Sequence, residues 1–269
     1  VAVFSMQHPQ NVPSKYSKYF PSEVDVNKKD VNNLFRYVIR PFGSLEVRRK
    51  FTALLKSFRP DIVHLNNIHS QLSPILAVIA KKNGIPVVWT LHDHKLLCPR
   101  YDCIRDQKPC ELCFTDKFNV VRYKCMKNSA MASVVAYVEA LVWNRKVLSD
   151  STDSFVCPSG FLKENMIKGG FAAGKLRVIS NFILDEKLED FHSEKGRYYC
   201  YVGRLSTEKG LVTLLEVASA LPQFELRIIG AGPLENELKA RYKSGNIKFE
   251  GFRKWCELKD ILGNSKFMV

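Results

Sequence analysis

The sequence predicts an α/β protein of two domains, each with a mostly parallel sheet covered by helices. Short apolar runs alternate with segments of helical periodicity along most of the 269 residues. The run IPVVWTLHD is almost wholly apolar, as expected of a parallel strand covered on both faces. The alternation restarts after a charged stretch without apolar periodicity, which separates the two domains.

The domain boundaries follow from where this alternation stops. Residues 1–183 are predicted to form the first domain, residues 184–197 a linker, and residues 198–269 the second domain. Residues 94–128 interrupt the first domain because they are polar, rich in cysteine and without periodicity. Such a stretch is typical of a long functional loop or a small subdomain.

Each predicted element rests on its local pattern. In the first domain the strands are predicted at 1–6, 61–67, 85–93, 153–159 and 175–183, and the helices within 31–59, 70–84, 129–148 and 160–170. In the second domain the strands are predicted at 198–205, 224–233, 247–252 and 266–269, and the helices at 207–220, 233–243 and 255–263. Pro41 and Gly43 interrupt the first helical segment, and Asn83-Gly84 is a typical helix C-terminal signal.

The charge is strongly positive and unevenly distributed. The formal net charge is +14; residues 1–183 carry 27 Lys and Arg against 14 Asp and Glu, while the remainder carries 14 against 13. An anionic partner for the first domain is therefore expected: nucleic acid, anionic lipid or a phosphorylated substrate. The alternative is a set of scattered, solvating lysines.

Composition also limits the class of protein. The mean hydropathy is −0.15 and no apolar run is long enough to cross a membrane. The N-terminal run lacks a basic leader, and eight cysteines in this length do not form a secreted disulfide framework. We therefore expect a protein of a reducing, cytoplasmic compartment.

Parallel sheets bind ligands beyond the carboxyl ends of their strands. This rule selects the candidate site residues, which are His92, Asp93, Ser159, Asn181, Gly203, Arg204, Gly230, Gly232, Phe252 and Arg253. A single histidine after an apolar strand is also often a packed, hydrogen-bonded residue, and Asp93 suits either a turn cap or a partner that orients His92.

The turn that contains Arg204 and Lys209 predicts a phosphate site. In VGRLSTEKG a strand ends in a glycine, and the two cations lie five positions apart across a short turn that opens a helix. Both side chains can converge on one anion, helped by the unpaired N–H groups of the helix. The alternative is an exposed Arg and Lys at an ordinary turn.

The segment RIIGAGPLENEL adds a second glycine-rich strand exit. Gly230 and Gly232 permit close approach of the backbone to a ligand, although packing of a helix on a strand also favours glycine. Two such turns in neighbouring units strengthen the interpretation of a nucleotide site.

These segments resemble a known family. The resemblance rests on VGRLSTEKG, LRIIGAGPLENEL and NIKFEGF, with FVCPSGFLKENMIKGGFAAGKLRVISNFI upstream. Together they are similar to the family-4 (group 1) glycosyltransferases from about residue 60 to the C-terminus, and more weakly before it. The resemblance implies the GT-B fold, in which two Rossmann-like domains with mostly parallel sheets face each other across a cleft, the second one incomplete here.

The resemblance also implies the activity. Members of the family are retaining enzymes that transfer a sugar from a nucleotide sugar and need no metal for the transfer. For this chain the implied donor is a UDP- or GDP-sugar. The implied acceptor is a glycan or a lipid-diphosphate-linked glycan, in the biosynthesis of surface polysaccharide or another glycoconjugate. No nucleic acid partner is implied.

The residue roles carried over by the resemblance concern the donor and the transferred sugar. Arg204 and Lys209 match the pair that neutralises the donor diphosphate and the leaving group, and His92 in TLHD matches a histidine near the transferred sugar. The remaining donor-binding positions are Gly203, Gly230, Gly232, Phe252 and Arg253, and the cleft-edge positions are Asp93, Ser159 and Asn181.

Two motifs of the family have no counterpart in the sequence. These are the glycine-rich turn after the first strand and a pair of glutamates spaced E-x7-E. We therefore expect the chain to be a fragment, truncated at both ends and inactive by itself.

The cysteines of 94–128 leave alternatives open. Cys110 and Cys113 have metal-ligand spacing, and Cys98 and Cys125 flank them, which is a tentative set for a structural zinc. Only one C-x2-C is present, so reduced, partly buried cysteines are an equal expectation and disulfides a minor one.

The helical region around residues 34–59 is basic and amphipathic. Its cations are Arg36, Arg40, Arg48, Arg49, Lys50, Lys56 and Arg59. Interleaved with apolar residues, they predict a face for an anionic membrane, so that the protein is peripheral on the inner face of the cell membrane. The alternative is a solvated helix face.

Three other functions compete with a transferase. A related GT-B enzyme such as an epimerase would bind UDP but needs acid and base carboxylates that the sequence does not place. A basic zinc-containing nucleic-acid-binding protein leaves the Arg204–Lys209 turn unexplained. A non-catalytic partner subunit would keep the fold without activity.

Overall fold

The computed structural model describes residues 1–24, 31–69, 71–182 and 196–269. They form two compact units, Val1–Asn181 and Phe182–Val269, each with a four-stranded parallel sheet. Apart from its last two residues, the predicted linker lies outside the described residues. The predicted domain boundaries therefore stay predictions.

The first unit is organised around a parallel sheet. Its strands are β1 (Val63–Asn66), β2 (Val87–Thr90), β3 (Ile104–Arg105), β4 (Lys108–Pro109), β5 (Ser154–Cys157) and β6 (Leu176–Val178). The sheet has the order β1-β2-β5-β6, while β3 and β4 form a separate antiparallel pair. Trp89 of β2 is buried, and its ring centroid lies 6.2 Å from that of Phe155 in β5. The interior position of β2 agrees with its apolar sequence.

Helices flank this sheet along the chain. They are α1 (Val31–Ile39), α2 (Leu45–Phe58), α3 (Ile75–Lys82), α4 (Asn119–Arg122), α5 (Ala130–Val142), α6 (Arg145–Ser151) and α7 (Gly160–Lys168). The predicted break between α1 and α2 is present at Gly43, whose φ of 84° is left-handed. A Cβ atom at Gly43 would lie 2.7 Å from Cβ of Ile75, so the residue also permits the close approach of α3.

Two of the predicted elements of this unit are wrong. Residues 1–6 form no strand; instead Phe4 packs against Phe20 and Phe51, with ring centroids 6.4 and 5.0 Å apart. The apolar pattern there serves side-chain packing, not strand pairing. The single helix predicted at 129–148 is two helices, α5 and α6.

The break between α5 and α6 has local causes. The Asn144 side chain accepts a hydrogen bond from the Val147 backbone N–H and so begins a new helix. The indole Nε1 of Trp143 donates to the Pro41 carbonyl at 2.7 Å, which holds the junction against the α1–α2 connection. An N-cap residue competes with helix continuation because its own backbone is extended.

The insertion at 94–128 is ordered by turns more than by helices and strands. The β3–β4 turn has Asp106 and Gln107 at positive φ, the geometry of a tight two-residue hairpin. Cys113 and Val120 pack with Ala136 of α5 in a small apolar cluster apart from the main core. The insertion thus contacts α5 through this cluster, while its Leu97 and Phe114 are buried in the main core.

The second unit repeats the parallel arrangement. Its strands are β7 (Tyr198–Val202), β8 (Glu225–Ile229), β9 (Ile247–Gly251) and β10 (Ser265–Met268), and its helices are α8 (Leu211–Ala220), α9 (Glu235–Arg241) and α10 (Trp255–Gly263). The sheet order is β10-β7-β8-β9, and every pair is parallel. Adjacent parallel strands place their carboxyl ends on one edge, which positions the candidate site.

Within the described residues no helix combines the length and the apolarity needed to cross a membrane.

Candidate functional site

Three strand exits of the second unit meet at one edge of its sheet. They are Gly203 after β7, Gly230 after β8 and Gly251 at the end of β9. The Gly203 N–H donates to the Ile229 carbonyl at 3.0 Å, and the Gly230 N–H donates to the Gly251 carbonyl at 2.9 Å. The exits therefore form one continuous, hydrogen-bonded rim.

The glycines of the second exit are required by this rim itself. A Cβ atom at Gly230, whose φ is 138°, would lie 1.9 Å from the Gly203 carbonyl oxygen. A Cβ atom at Gly232 would lie 2.3 Å from the Leu205 carbonyl oxygen. Backbone packing between neighbouring turns accounts for both residues, whereas the alternative named from the sequence was packing of a helix on a strand.

A pocket of about 310 Å³ opens at this rim. It is lined by Val202, Gly203, Arg204, Ile229, Gly230, Ala231, Phe252, Arg253 and Leu258. The structure thus brings together five of the predicted donor-site residues. Lys209 and Gly232 are not among the lining residues. Phe252 is 76% exposed, so a large aromatic face stands in solvent beside the pocket.

The two arginines of this pocket differ in their surroundings. Arg253 is held by two carboxylates, with Nη2 3.0 Å from Glu250 Oε2 and Nη1 3.4 Å from Glu257 Oε1. Arg204 has an exposed side chain, and its carbonyl accepts a hydrogen bond from the Tyr201 hydroxyl at 3.1 Å. Arg204 is therefore the arginine of the pocket better placed to receive an external anion.

Glu208 is the acidic residue of the turn between Arg204 and Lys209. The Ser206 hydroxyl donates to Glu208 Oε1 at 2.6 Å, and this bond is the main cause that lowers the pKa of the carboxyl. Arg204 and Lys209 both add to the lowering. The spacing of the two cations predicts that they converge on one external anion, and this stays a prediction.

In the first unit the exits of β1 and β2 are joined by a histidine. His92 follows β2, and its Nε2 lies 3.0 Å from Oδ1 of Asn66, the last residue of β1. The ring is exposed, and the hydrogen bond fixes its orientation. Asp93 is a turn cap, because its Oδ1 accepts the Lys95 N–H at 2.8 Å.

The remaining cleft-edge predictions lie at the next two exits of the same sheet edge. Ser159 begins α7, and its hydroxyl accepts the Leu162 N–H at 3.2 Å, which gives it a capping role. Asn181 follows β6 and is exposed. The order of the four strands brings Asn66, His92, Ser159 and Asn181 to one edge.

Comparison with known proteins identifies the family. Residues 1–187 match Glycosyltransferase Family 4, and residues 185–269 match Glycosyl transferases group 1. The chain belongs to glycosyltransferase family 4. This confirms the family that the sequence motifs resemble.

Curated relatives of the family-4 chain are distant. It is 24% identical over 232 residues to an uncharacterized 42.6 kDa protein in the cps region of Klebsiella pneumoniae, covering 84% of this chain and 54% of that protein. It is 23% identical over 240 residues to sulfoquinovosyl transferase SQD2 of Arabidopsis thaliana, covering 84% of this chain and 41% of that protein. The chain spans about half the length of the curated relatives it matches.

Solved structures show the same fold. Anabaena HepE, in complex with UDP and glucose, superposes with a TM-score of 0.51 at 16% identity, covering 93% of this chain and 60% of that one. A TarM variant of S. aureus, in complex with Fondaparinux, alpha-GlcNAc-glycerol and UDP, gives a TM-score of 0.51 at 11% identity, covering 84% and 40%. The predicted fold class, α/β of GT-B type with parallel sheets, is confirmed.

The cysteines of this family-4 chain do not form the predicted zinc set. All eight are free thiols, and no group of three or more His, Cys, Asp or Glu in the described ranges is arranged to hold a metal. Cys98 lies close to Cys103 and Cys113, and interaction among the three thiols lowers the pKa of Cys98 and raises the pKa values of the other two. Cys98 and Cys113 of the predicted set thus lie together with Cys103, which the zinc prediction left out, but the described residues give a structural zinc no support.

Two residues at these sites escaped the sequence reasoning. Asn66 had a detectable signal, since it lies at a strand exit in DIVHLNN, but an asparagine there is chemically ambiguous. Glu208 lies inside the turn of Arg204 and Lys209, and an acidic residue there is no sequence signal for a phosphate site. Both become visible only through their hydrogen bonds.

Proposed function

We propose that this chain is part of a retaining glycosyltransferase that moves a sugar from a UDP- or GDP-sugar to a glycan or lipid-linked acceptor. The observation that carries the proposal is the pocket at the rim of the second unit, where Gly203, Arg204, Gly230 and Phe252 meet. HepE and TarM, whose structures contain UDP, support a nucleotide donor. The role proposed for the transferase is the biosynthesis of surface polysaccharide or another glycoconjugate, as the family resemblance implies.

In this proposal the rim binds the nucleotide sugar through its backbone and its exposed aromatic ring. The nucleobase lies against the segment Gly251–Arg253, where Phe252 offers a face for stacking. Arg253 is fixed by Glu250 and Glu257, so it shapes the pocket wall. Preorganised groups of this kind bind without a cost of rearrangement.

Arg204 and Lys209 stabilise the departing diphosphate. As the bond between sugar and phosphate breaks, negative charge develops on the leaving oxygen, and nearby cations lower the energy of that state. The donor diphosphate is the anion on which the two side chains converge. The two side chains supply the positive charge that a metal ion supplies in other transferases, so we expect transfer without added metal.

His92 acts on the sugar side of the reaction in this proposal. Its hydrogen bond with Asn66 leaves Nδ1 for a contact with the transferred sugar or the acceptor hydroxyl. Asp93, Ser159 and Asn181 border the same sheet edge and complete the acceptor side.

Calorimetric binding of UDP and GDP to the full-length protein tests the donor site. We expect one of the two to bind, and Lys209→Ala to weaken that binding about tenfold to hundredfold, because a charge-assisted hydrogen bond is lost. Lys239→Ala is the matched control, since Lys239 is an exposed lysine of the same unit that pairs with Glu235 in α9. The donor assignment fails if neither nucleotide binds, or if the two variants bind equally well.

A further inference from the structure

Three thiols meet in the insertion at 94–128. Cys98 lies close to Cys103 and Cys113, and all three are free. Cys98 and Cys103 are partly exposed, whereas Cys113 is buried in the small apolar cluster beside α5. The transfer chemistry proposed above uses no thiol, so this thiol cluster has no part in it.

The backbone of the insertion brings Cys98 and Cys103 together. The Tyr101 N–H donates to the Cys98 carbonyl at 2.7 Å and closes a turn between the two cysteines. Tyr101 and Cys103 have φ values of 73° and 53°, in the left-handed region that residues with a Cβ atom rarely adopt. Beyond the turn, the Cys110 N–H donates to the Cys103 carbonyl at 2.7 Å. The folded backbone therefore sets the proximity of the two cysteines.

Other cysteines of the chain have different surroundings. Cys157 and Cys200 lie in strands β5 and β7 with no exposed surface, and burial raises the pKa of both. Cys256 is exposed, but it belongs to α10 of the second unit. The thiol cluster instead combines neighbouring thiols with access to solvent, the two properties that redox-sensing cysteines require.

Cys98 is the member of the cluster suited to react first. Its contacts with the other two thiols lower its pKa, and the thiolate is the form that attacks an oxidant. A positive charge lies nearby, because the Lys117 ammonium interacts with both Cys98 and Cys113. Lysine beside a cysteine favours the thiolate. Cys103 is then the neighbouring thiol that can complete a disulfide.

We propose that Cys98 and Cys103 form a reversible oxidation site, at which a hydroperoxide converts the two thiols into a disulfide. This inference goes beyond the proposed function and does not depend on it. It also suits a reducing compartment, where protein disulfides are usually transient and redox-sensing.

The oxidation proceeds in two steps. The Cys98 sulfur attacks one oxygen of hydrogen peroxide, the O–O bond breaks, and Cys98 sulfenic acid and one water form. The Cys103 sulfur then attacks the Cys98 sulfur, the S–O bond breaks, and a second water leaves. The two thiols lose two electrons and two protons in total, and the peroxide accepts both. A small-molecule dithiol reverses the reaction by exchange.

The disulfide would form in the loop that directly follows His92 and Asp93. The Cys98 N–H donates to the His94 carbonyl at 2.7 Å, and the His94 N–H donates to the Tyr101 carbonyl at 3.1 Å. The turn that carries the thiols is therefore hydrogen-bonded to the start of the loop.

Peptide mapping of the full-length protein tests the pairing. The reduced protein is treated with one equivalent of hydrogen peroxide, alkylated with N-ethylmaleimide and digested with trypsin. Cleavage after Arg100 and Arg105 places Cys98, Cys103 and Cys113 on the separate peptides 96–100, 101–105 and 106–117. We expect peptides 96–100 and 101–105 to be joined with the loss of two hydrogen atoms, and dithiothreitol to separate them. The inference is overturned if Cys98 stays fully alkylated, or if its peptide joins 106–117 instead.

Substitutions assign the reacting sulfur. Cys98→Ser should reduce disulfide formation at least about tenfold, since the attacking thiolate is lost. Cys256→Ser is the matched control, because it removes an exposed thiol of the second unit, and it should change the yield less than about twofold. Equal yields from the two variants would reject the inference.

Cys103→Ser gives an independent readout that does not require Cys98→Ser to fold. Without its partner thiol, Cys98 should stop at the sulfenic acid, which dimedone labels on peptide 96–100. Absence of the label, or a Cys98 disulfide that still forms in this variant, would show that Cys103 is not the partner.

UDP titration of the reduced and oxidised proteins separates this inference from the proposed function. The thiol cluster belongs to the first unit and the donor pocket is lined by the second, so we expect the affinity for UDP to change less than about twofold on oxidation. Disulfide formation without UDP binding supports the oxidation site and rejects the nucleotide donor. UDP binding without disulfide formation rejects the oxidation site and leaves the donor site intact.

Discussion

Gly230 and Gly232 show why the same residue type supports two interpretations. In the sequence they predict close approach of a backbone to a ligand, and in the structure the approaching backbone belongs to the neighbouring turn. Both interpretations apply to the pocket, because the closely packed turns form the rim at which a ligand would bind. Close backbone packing is therefore what preorganises the proposed donor site.

Gly230→Ala should destabilise the second unit by about 2–4 kcal/mol, because the new Cβ meets a carbonyl oxygen and the backbone is at positive φ. Urea unfolding of the full-length protein measures this. Gly245→Ala is the control, since nothing lies within 4 Å of its Cβ position. Equal unfolding midpoints for the two variants would show that the rim is not packed as described.

At the scale of single elements, the connection between α5 and α6 places Trp143 and Arg145 in the lining of a cavity of about 160 Å³. Trp143 and Asn144 interrupt a sequence that is otherwise helical from 130 to 151. A continuous helix would carry Arg145 elsewhere on its surface, away from the cavity that it lines. The cap at Asn144 thus helps to position Arg145 in the wall of that cavity.

Asn144→Ala should lower the free energy of unfolding by about 1 kcal/mol, since the cap on the Val147 N–H is lost. Asn144→Ser keeps a capping oxygen and should retain most of the stability. Denaturant titration with two probes of structure measures both. A stability for Asn144→Ala equal to that of the unchanged protein would mean that the junction does not depend on this cap.

The basic side chains of α1 and α2 and of their connection differ in burial and pairing, although the sequence predicts one basic face. Arg40 is buried and donates to the Ser22 carbonyl at 2.6 Å, and its pKa is lowered by burial. Lys50 Nζ lies 3.9 Å from Glu46 Oε1. Arg49 and Lys56 remain exposed on α2 and are the cations through which a membrane contact is proposed.

At the scale of the whole molecule, the charge of the first unit leads to a prediction about membranes. We expect the full-length protein to sediment with anionic vesicles at moderate salt in preference to neutral ones. The double variant Arg49→Gln and Lys56→Gln should weaken this binding about thirtyfold, because each basic residue near the surface adds about 1 kcal/mol.

The matched control is Lys239→Gln with Lys243→Gln, which removes the same charge from the second unit. If vesicle composition makes no difference, or if the two double variants behave alike, the peripheral membrane proposal is wrong.

Much of the architecture could be predicted because strand and helix patterns are local. The predicted helix at 255–263 matches α10 residue for residue, and the β2 prediction identified an interior strand. Residues 1–6 show the limit, since an apolar run becomes a strand only when a neighbouring strand accepts its hydrogen bonds. The break between α5 and α6 could not be predicted, because Asn144 in a helical pattern has the same sequence signal whether it caps a new helix or lies exposed on a continuous one.

The sequence by itself determined the family, the parallel α/β class and the set of residues at the strand exits, because motif spacing and apolar period are properties of the chain alone. Only the tertiary structure decided which of these residues share a pocket: Arg204 and Phe252 line one, while Lys209 does not. It also placed Cys98 close to Cys103 and Cys113. It buried Glu139 of α5 beside Lys95. Such arrangements depend on contacts between residues far apart in the chain, which spacing does not encode.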